Sequence, residues 1–377
     1  SHLRKYGNPL YVLPWYMAIG ESGSGKTTAI SSAKLSSPFA EVKRTSGISG
    51  TKNCDWWFFE QAVIIDTAGR YAIPVDEGRD KDEWQRFLTL LVKYRKKEPL
   101  HGLIVTVAAD KLLEASPEAL EEDGRNIRRR IDELMRVLGV KFPVYVLVTK
   151  CDLVQGLTRF SEQLPEKALD QPMGFINQSL SKDVSAFLDT AVNTIGERLR
   201  TLRILLLHHP RSKVVDPALL LFPEEFEQLK RGLAPFMKAA FQENPYQETP
   251  ALRGLFFSSG RQEGTPYSHF LKALGLIGEK EVLPGTSRGL FLHEFFAKIL
   301  PTDRQLFAPT TRALEWRVLT RNMGLTAWIL LGVAVCGLLS FSFVKNLRTI
   351  RVATHEFAVP PVLRGELVPD LATMDRF

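Results

Sequence analysis

Gly20–Glu21–Ser22–Gly23–Ser24–Gly25–Lys26–Thr27 sets a glycine, four further residues and a Gly-Lys-Thr in unbroken order. Glycines at three of these positions allow backbone turns closed to other residues, so successive N–H groups can point inward around one oxyanion. Lys26 would bridge the terminal phosphates of a nucleotide, and the Thr27 hydroxyl would join a Mg²⁺ shell. All eight residues and the adjoining Thr28 are therefore candidate nucleotide contacts. Such a loop works only between a strand and a helix. Apolar Trp15–Ile19 predicts the strand and Thr27–Leu35 the helix.

Three further segments follow in the order a nucleotide site of this kind requires. The apolar run Ala62–Val63–Ile64–Ile65 ends in Asp66–Thr67–Ala68–Gly69. Asp66 would hold Mg²⁺ through water, and the Gly69 N–H would sense a γ-phosphate. It lies about 40 residues beyond Lys26, room for one helix and an edge strand. Tyr145–Val148 then leads into Thr149–Lys150–Cys151–Asp152. There a carboxylate can accept from the guanine N1–H and 2-amino groups, while a lysine stem covers the base. Gly254–Phe257 ends in Ser258–Ser259–Gly260, where a last base-contacting loop would sit; a plain strand-to-turn junction accounts for that segment equally well.

Two residues bear on hydrolysis. Thr51, within Gly47–Phe58, is a candidate switch threonine whose hydroxyl would reach Mg²⁺ when a γ-phosphate is present, or else an ordinary loop residue. Arg70 follows Gly69 at the position where a glutamine could orient an attacking water. Arginine has five donors and no acceptor, so it cannot play that part. It would either stabilise charge on the γ-phosphate in cis or lie at the surface. The expectation is a slow nucleoside-triphosphate phosphohydrolase at most.

A chain of 377 residues with 45% apolar content supports two or three domains with a sizeable core. Cys54, Cys151 and Cys336 lack metal-ligand spacing, and two of them sit inside the nucleotide segments, which implies a reducing compartment. The net charge of +7 comes without a nucleic-acid-binding motif, so no nucleic-acid partner is expected. Arg125–Arg130 falls in a helical pattern and reads as a solvated face, with an anionic membrane surface as the second reading.

From Met323 to Val344 no charged residue occurs for about 22 positions, enough as a helix to cross roughly 30 Å of hydrocarbon. Arg317 and Arg321 precede this run, Lys345 and Arg348 follow it, and Trp328 lies near one end. Basic residues on both sides leave orientation open by charge alone, but a nucleotide site belongs in the cytosol. Residues before 322 are then cytoplasmic and those after 345 periplasmic. The chain opens on Ser1–His2 without a signal peptide, as a piece of a longer protein would.

The fold class these features predict is α/β: a P-loop GTPase-like, mostly parallel sheet with a helical insert, followed by one transmembrane helix. The expected strands are Tyr16–Gly20, Trp56–Glu60, Ala62–Asp66, Leu103–Ala108, Val144–Thr149 and Gly254–Ser258. Residues 1–160 would form the first part of the core and 161–250 a helical insert, with helices over Asn177–Leu207 and Pro223–Phe241. A closing strand and a helix over Leu290–Leu300 occupy 251–300, a polar neck 301–322, the span 323–344, and a periplasmic region begins at 345.

The loop G-E-S-G-S-G-K-T, together with G-T-K-N-C-D-W-W-F, V-I-I-D-T-A-G-R-Y and V-T-K-C-D, resembles the IcmF/TssM family. This family supplies the large inner-membrane component of bacterial type VI secretion systems. The resemblance covers nearly the whole chain. It implies a cytoplasmic domain between an N-terminal membrane hairpin and a third span, with Mg²⁺ and GTP or ATP as ligands. It also implies, as partners, a DotU-like inner-membrane protein, an outer-membrane lipoprotein reached through a periplasmic region, and cytoplasmic baseplate components, in an oligomeric complex. Three functions remain open: a nucleotide-controlled structural protein, an NTPase energising secretion, and a structural anchor with a vestigial site. A membrane-tethered GTPase of the signal-recognition type is a fourth, although the four-helix module expected before its loop is not seen.

Overall fold

Most of the apolar runs pair into one seven-stranded sheet in the computed structural model. The structure describes residues 9–37, 54–73, 77–207, 217–244, 248–268, 283–286 and 288–356, with 358, 365 and 375 besides. It divides into two units at Thr310/Thr311. In the first unit the strands are β1 (Trp15–Ile19), β2 (Cys54–Phe58), β3 (Val63–Thr67), β4 (Gly102–Ala108), β5 (Pro143–Thr149), β6 (Met173–Ile176) and β7 (Ala251–Phe257). Their order is β2-β3-β1-β4-β5-β7-β6. The five central strands are parallel, while edge strands β2 and β6 run antiparallel to β3 and β7. Every residue of β3, β4 and β5 is buried, as parallel strands covered on both faces must be.

Alternation along the strands divides the core in two. Met17 and Ile19 of β1 face one layer with Val105 and Val146, and Tyr16 and Ala18 face the other with Ile104 and Leu147. The first layer is covered by α2 (Glu77–Tyr94), α3 (Pro117–Leu138), α4 (Val184–Leu207) and α5 (Pro217–Phe241). The second is covered by α1 (Lys26–Ser32) and by Phe295, Phe296 and Leu300.

Helix α3 shows how local chemistry sets these elements. The Ser116 side chain caps its N-terminus by accepting from Ala119 N–H at 3.3 Å, Pro117 occupies the first turn, and Gly139 ends it at φ 66°. Leu120, Ile127, Ile131, Leu134 and Leu138 make its buried stripe. Helix α5 packs directly upon it: a Cβ added at Gly124 would fall 2.4 Å from the Phe236 carbonyl oxygen.

The structure departs from the expected boundaries in several places. The segment 161–250 is not purely helical, because Met173–Ile176 adds strand β6 to the sheet and α4 and α5 pack into the main core. Helix α4 begins at Val184 rather than Asn177. Asn177 is occupied in a turn, donating from Nδ2 to the carbonyls of Ser181 and Leu252 at 3.0 Å each, and Asp183 caps Ala186 N–H at 3.0 Å. Helix α5 starts at Pro217, ahead of the expected Pro223, because Leu219 and Phe222 are also core residues. The helix expected over Leu290–Leu300 begins at His293 instead, because Leu290 bridges Ser259, and it passes through a π-helical stretch at Phe295–Ile299. The basic run in α3 is ion-paired rather than merely solvated. Arg125 meets Glu121 and Glu122, and Arg130 meets Glu133. Arg128 is buried, holding Asp132 at 2.9 Å and the Gln242 carbonyl at 2.8 Å.

The expected neck, 301–322, is divided between the two units, its part from Thr311 on being the start of a long helix. Residues 303–310 belong to the first unit, where Ala308–Pro309 pairs antiparallel with Val140–Lys141. Arg253 grips the Asp303 carboxylate with two bonds of 2.7 and 2.9 Å, and Tyr145 donates its hydroxyl to the same group at 2.8 Å. In the second unit a helix, α6 (Thr311–Glu356), runs 46 residues. Its Asn322–His355 portion has an apolar window of mean hydropathy 2.3, none of it buried. By length and composition it can cross a membrane.

Asp303→Ala would leave the Arg253 guanidinium and the Tyr145 hydroxyl without their shared acceptor. The expected cost is about 3 kcal/mol of stability, read as a lower midpoint in denaturant unfolding followed by tryptophan fluorescence, with Asp303→Asn losing less. An unchanged midpoint for Asp303→Ala would count against a structural role for this cluster.

Candidate nucleotide site

Strand β1 delivers the chain into Gly20–Thr27 at the C-terminal edge of the parallel sheet, between the ends of β3 and β4. The loop turns through Gly23 and Gly25 at φ 79° and 78°, a region that strains any side chain, and Gly25 then starts α1. Gly20 is required by proximity, since a Cβ there would lie 2.2 Å from Thr106 Oγ1. Lys26 folds back over the loop, donating from Nζ to the Gly20 carbonyl at 2.8 Å and the Glu21 carbonyl at 2.9 Å. Burial lowers its pKa to about 8, against the opposing pull of Asp66 and Glu21. An ammonium desolvated in this way gains from an anion brought beside it.

Thr27 and Asp66 meet as expected. The Thr27 hydroxyl donates to Asp66 Oδ2 at 2.5 Å, and Asp66 is fully buried at the end of β3. Hydroxyl and carboxylate oxygens brought together here are the hard donors Mg²⁺ takes. Gly69 lies flat on the loop: a Cβ would sit 2.2 Å from Ser22 N and 2.4 Å from Ser22 Cα. The glycine is needed for this close approach between two backbones. With the turns at Gly23 and Gly25, the Lys26 ammonium and the Thr27–Asp66 pair, the residues fit a Mg²⁺-bound polyphosphate.

Thr149, Lys150 and Asp152 of the next segment do different things. Thr149 braces the loop from beneath, its hydroxyl donating to the Ser24 carbonyl at 2.5 Å. Lys150, at φ 54°, sets its Nζ 3.3 Å from Asp110 Oδ2. Asp152 is 1% exposed and accepts from Ser259 Oγ at 2.7 Å, while Gln262 Nε2 donates to Ser259 Oγ at 2.9 Å. The loose Ser258–Ser259–Gly260 segment is thereby joined to the Asp152 carboxylate. Ser258 N–H donates to the Val148 carbonyl at 2.8 Å, and Gly260 packs against Thr28, itself exposed on α1.

Arg70 is held by α2 rather than left at the surface. Its Nε lies 3.1 Å from Asp80 Oδ1, and a terminal nitrogen lies 2.7 Å from Glu83 Oε2. Thr51 lies outside the described residues. Sequence reasoning missed Thr106, whose hydroxyl lies 2.8 Å from Ser24 Oγ and 3.3 Å from the Ile19 carbonyl. A lone hydroxyl within the apolar strand Gly102–Ala108 was the signal that could have found it. Lys111, bonded to the Glu21 side chain, carried no such signal.

Strand order, loop and buried Asp66 define a P-loop GTPase-like α/β protein followed by one long apolar helix. The family model described as the IcmF-related N-terminal domain matches residues 77–328. The chain is also 33% identical over 369 residues to the type VI secretion system component TssM1 of Pseudomonas aeruginosa, across 94% of this chain and 33% of that protein. It thus spans about a third of the length of that curated relative. The chain belongs to the IcmF/TssM family.

Solved structures similar to it include the signal recognition particle receptor SRb-GTP/SRX complex from Chaetomium thermophilum, at 18% identity and a TM-score of 0.26 over 37% of this chain and 71% of that one. Another is the septin GTPase domain from Chlamydomonas reinhardtii, at 17% and 0.27 over 84% and 97%. Scores this low add nothing to the strand order already described.

Gly69→Ala should separate two backbones that now touch, costing about 2 kcal/mol or more by overpacking. A thermal melt of this variant beside Gly324→Ala, where added atoms meet nothing within 4 Å, checks the expectation. Equal melting temperatures would mean that the Gly69–Ser22 contact is not tight.

Proposed function

We propose that this chain is the cytoplasmic nucleotide-binding part, with its membrane anchor, of a type VI secretion membrane complex. In this reading Mg²⁺ with GTP or ATP acts as an assembly or conformational switch. The observation that carries it is the convergence of Lys26, Thr27 and Asp66 on one glycine-turned loop. When bound, Mg²⁺ would neutralise phosphate charge. Lys26 would exchange the loop carbonyls for phosphate oxygens, and Thr27 and Asp66 would hold the ion. Gly69, already against Ser22, would carry a change in the loop into the segment that leads to Arg70 and α2.

Helix α6 would span the bacterial inner membrane, with residues before 322 cytoplasmic and those after 345 periplasmic. Family membership supports a DotU-like inner-membrane partner, an outer-membrane lipoprotein reached through periplasmic sequence, and cytoplasmic baseplate contacts in an oligomeric complex. The second reading, an NTPase that energises secretion, finds less support. Arg70 is tied to two carboxylates and has no acceptor with which to orient water. Single-turnover hydrolysis separates the two readings: a rate equal to buffer, with nucleotide still bound, removes the second.

Lys26→Ala deletes the charged donor of the loop. Binding of Mg²⁺–GTP and Mg²⁺–ATP, measured by calorimetry, should weaken by about tenfold to a hundredfold. A parent chain that binds neither nucleotide, or a variant that binds as tightly as the parent, would overturn the reading. For the base, Asp152→Asn keeps an acceptor for Ser259 but turns one carboxylate oxygen into a donor facing guanine donors. GTP affinity should fall by about tenfold or more while ATP affinity stays within about twofold. Equal loss for both nucleotides would make Asp152 a brace rather than a base reader.

A further inference from the structure

A glutamate is a poor neighbour for a polyphosphate, yet Glu21 is the second residue of the phosphate loop. Its side chain is 43% exposed and forms an ion pair with the Lys111 ammonium. Lys111 stands on the turn Ala109–Glu114 that follows β4, and it also meets Asp123 Oδ2 of α3 at 2.5 Å. The turn is fixed from behind, because Gly232 of α5 packs on it so closely that a Cβ would lie 2.1 Å from the Leu112 carbonyl oxygen. Glu21, Ser22, Gly23, Lys111 and Asp123 line one cavity of about 200 Å³ beside the loop. Glu21 also sits beside the Lys26 ammonium, whose Nζ lies 2.9 Å from the Glu21 carbonyl oxygen. It is therefore within electrostatic range of the place where phosphate charge would lie.

We propose that Lys111 is a positioning residue of the phosphate loop: held by Asp123, its ammonium draws the Glu21 carboxylate aside and neutralises it, so that the loop can accept a polyphosphate. The assignment rests on the nucleotide-binding reading above. Asp123 fixes the ammonium from the far side, and the packing of Gly232 on the turn fixes the backbone that carries it. Without Lys111, two carboxylates would face the loop with no cation between them.

The test compares the parent and three variants on the full chain in detergent, with Mg²⁺–ATP and Mg²⁺–GTP titrated calorimetrically. Lys111→Met should bind at least about fivefold more weakly at 0.05 M salt, roughly, and the deficit should shrink at about 0.5 M, where screening is strong. Lys111→Arg should bind within about twofold of the parent, because it keeps the charge. Glu21→Gln, placed on Lys111→Met, should restore affinity to within about twofold of the parent, since it removes the repelling carboxylate. If Lys111 merely supported the fold, the double variant would be as weak as Lys111→Met and insensitive to salt. That result, or a Lys111→Met variant equal to the parent, overturns the proposal while leaving nucleotide binding intact. A parent chain that binds neither nucleotide overturns both.

Discussion

The phosphate loop is a backbone structure held in shape by its neighbours, and most of the first unit is arranged to hold it. Thr106 at the end of β4 supports it through Ser24 Oγ, and Thr149 at the end of β5 through the Ser24 carbonyl. Gly69 presses on Ser22 from the β3 side. These contacts come from the ends of three strands that are parallel to β1 and hydrogen-bonded in fixed register. A slip of one residue in β4 or β5 would turn the threonine to the other face of the sheet. The continuous apolar strands therefore set the register that puts two hydroxyls under one loop.

Burial raises the cost of each polar group at this edge, so each is assigned a partner. Lys26 rests on loop carbonyls, Thr27 on Asp66, Asp152 on Ser259, and Ser259 on Gln262. Several of these bonds are to groups a nucleotide could replace with phosphate or base atoms of the same hydrogen-bonding sense. To accept a ligand, these bonds would need only a local exchange of partners. Farther from the loop, Arg253, Asp303 and Tyr145 form a cluster that ties the end of the first unit to the centre of the sheet.

What could be read in the sequence follows from which signals are local. Glycine spacing, the apolar strands ending in Asp66 and Asp152, and the uncharged run after Met323 each lie within a short window, and each was legible. Strand β6 was not: Met173–Ile176 has only four residues, one of them Gly174, and sits between helical patterns. The start of α4 was hidden because Asn177 sits ahead of a helical pattern, and only its side-chain bonds to Ser181 and Leu252 exclude it from the helix. The neck looked independent because its polar residues resemble a linker; only the distant Arg253 and Tyr145 turn Asp303 into an interior residue. At the site, Thr106 was recoverable from its strand, whereas the Lys111–Glu21 and Arg70–Glu83 pairs join residues whose proximity no spacing rule encodes.

On the proposed reading, the contacts of Arg70 would suit the segment after Gly69 to a switch better than to a fast catalyst. Its guanidinium bridges Asp80 and Glu83 on α2, and Tyr71 adds its hydroxyl to Glu83 at 3.2 Å. Tyr71 is buried against Trp84, with ring centroids 5.6 Å apart. The residue after the loop-contacting glycine is thus part of the packing of α2, and moving Gly69 would strain charged and aromatic contacts together. Groups committed to such contacts are poorly placed to orient water, but they are well placed to carry a small displacement of Ser22 into a helix. Because packed interfaces have discrete arrangements rather than a continuous range, a sub-ångström shift at Gly69 would be resolved as one packing of α2 or another.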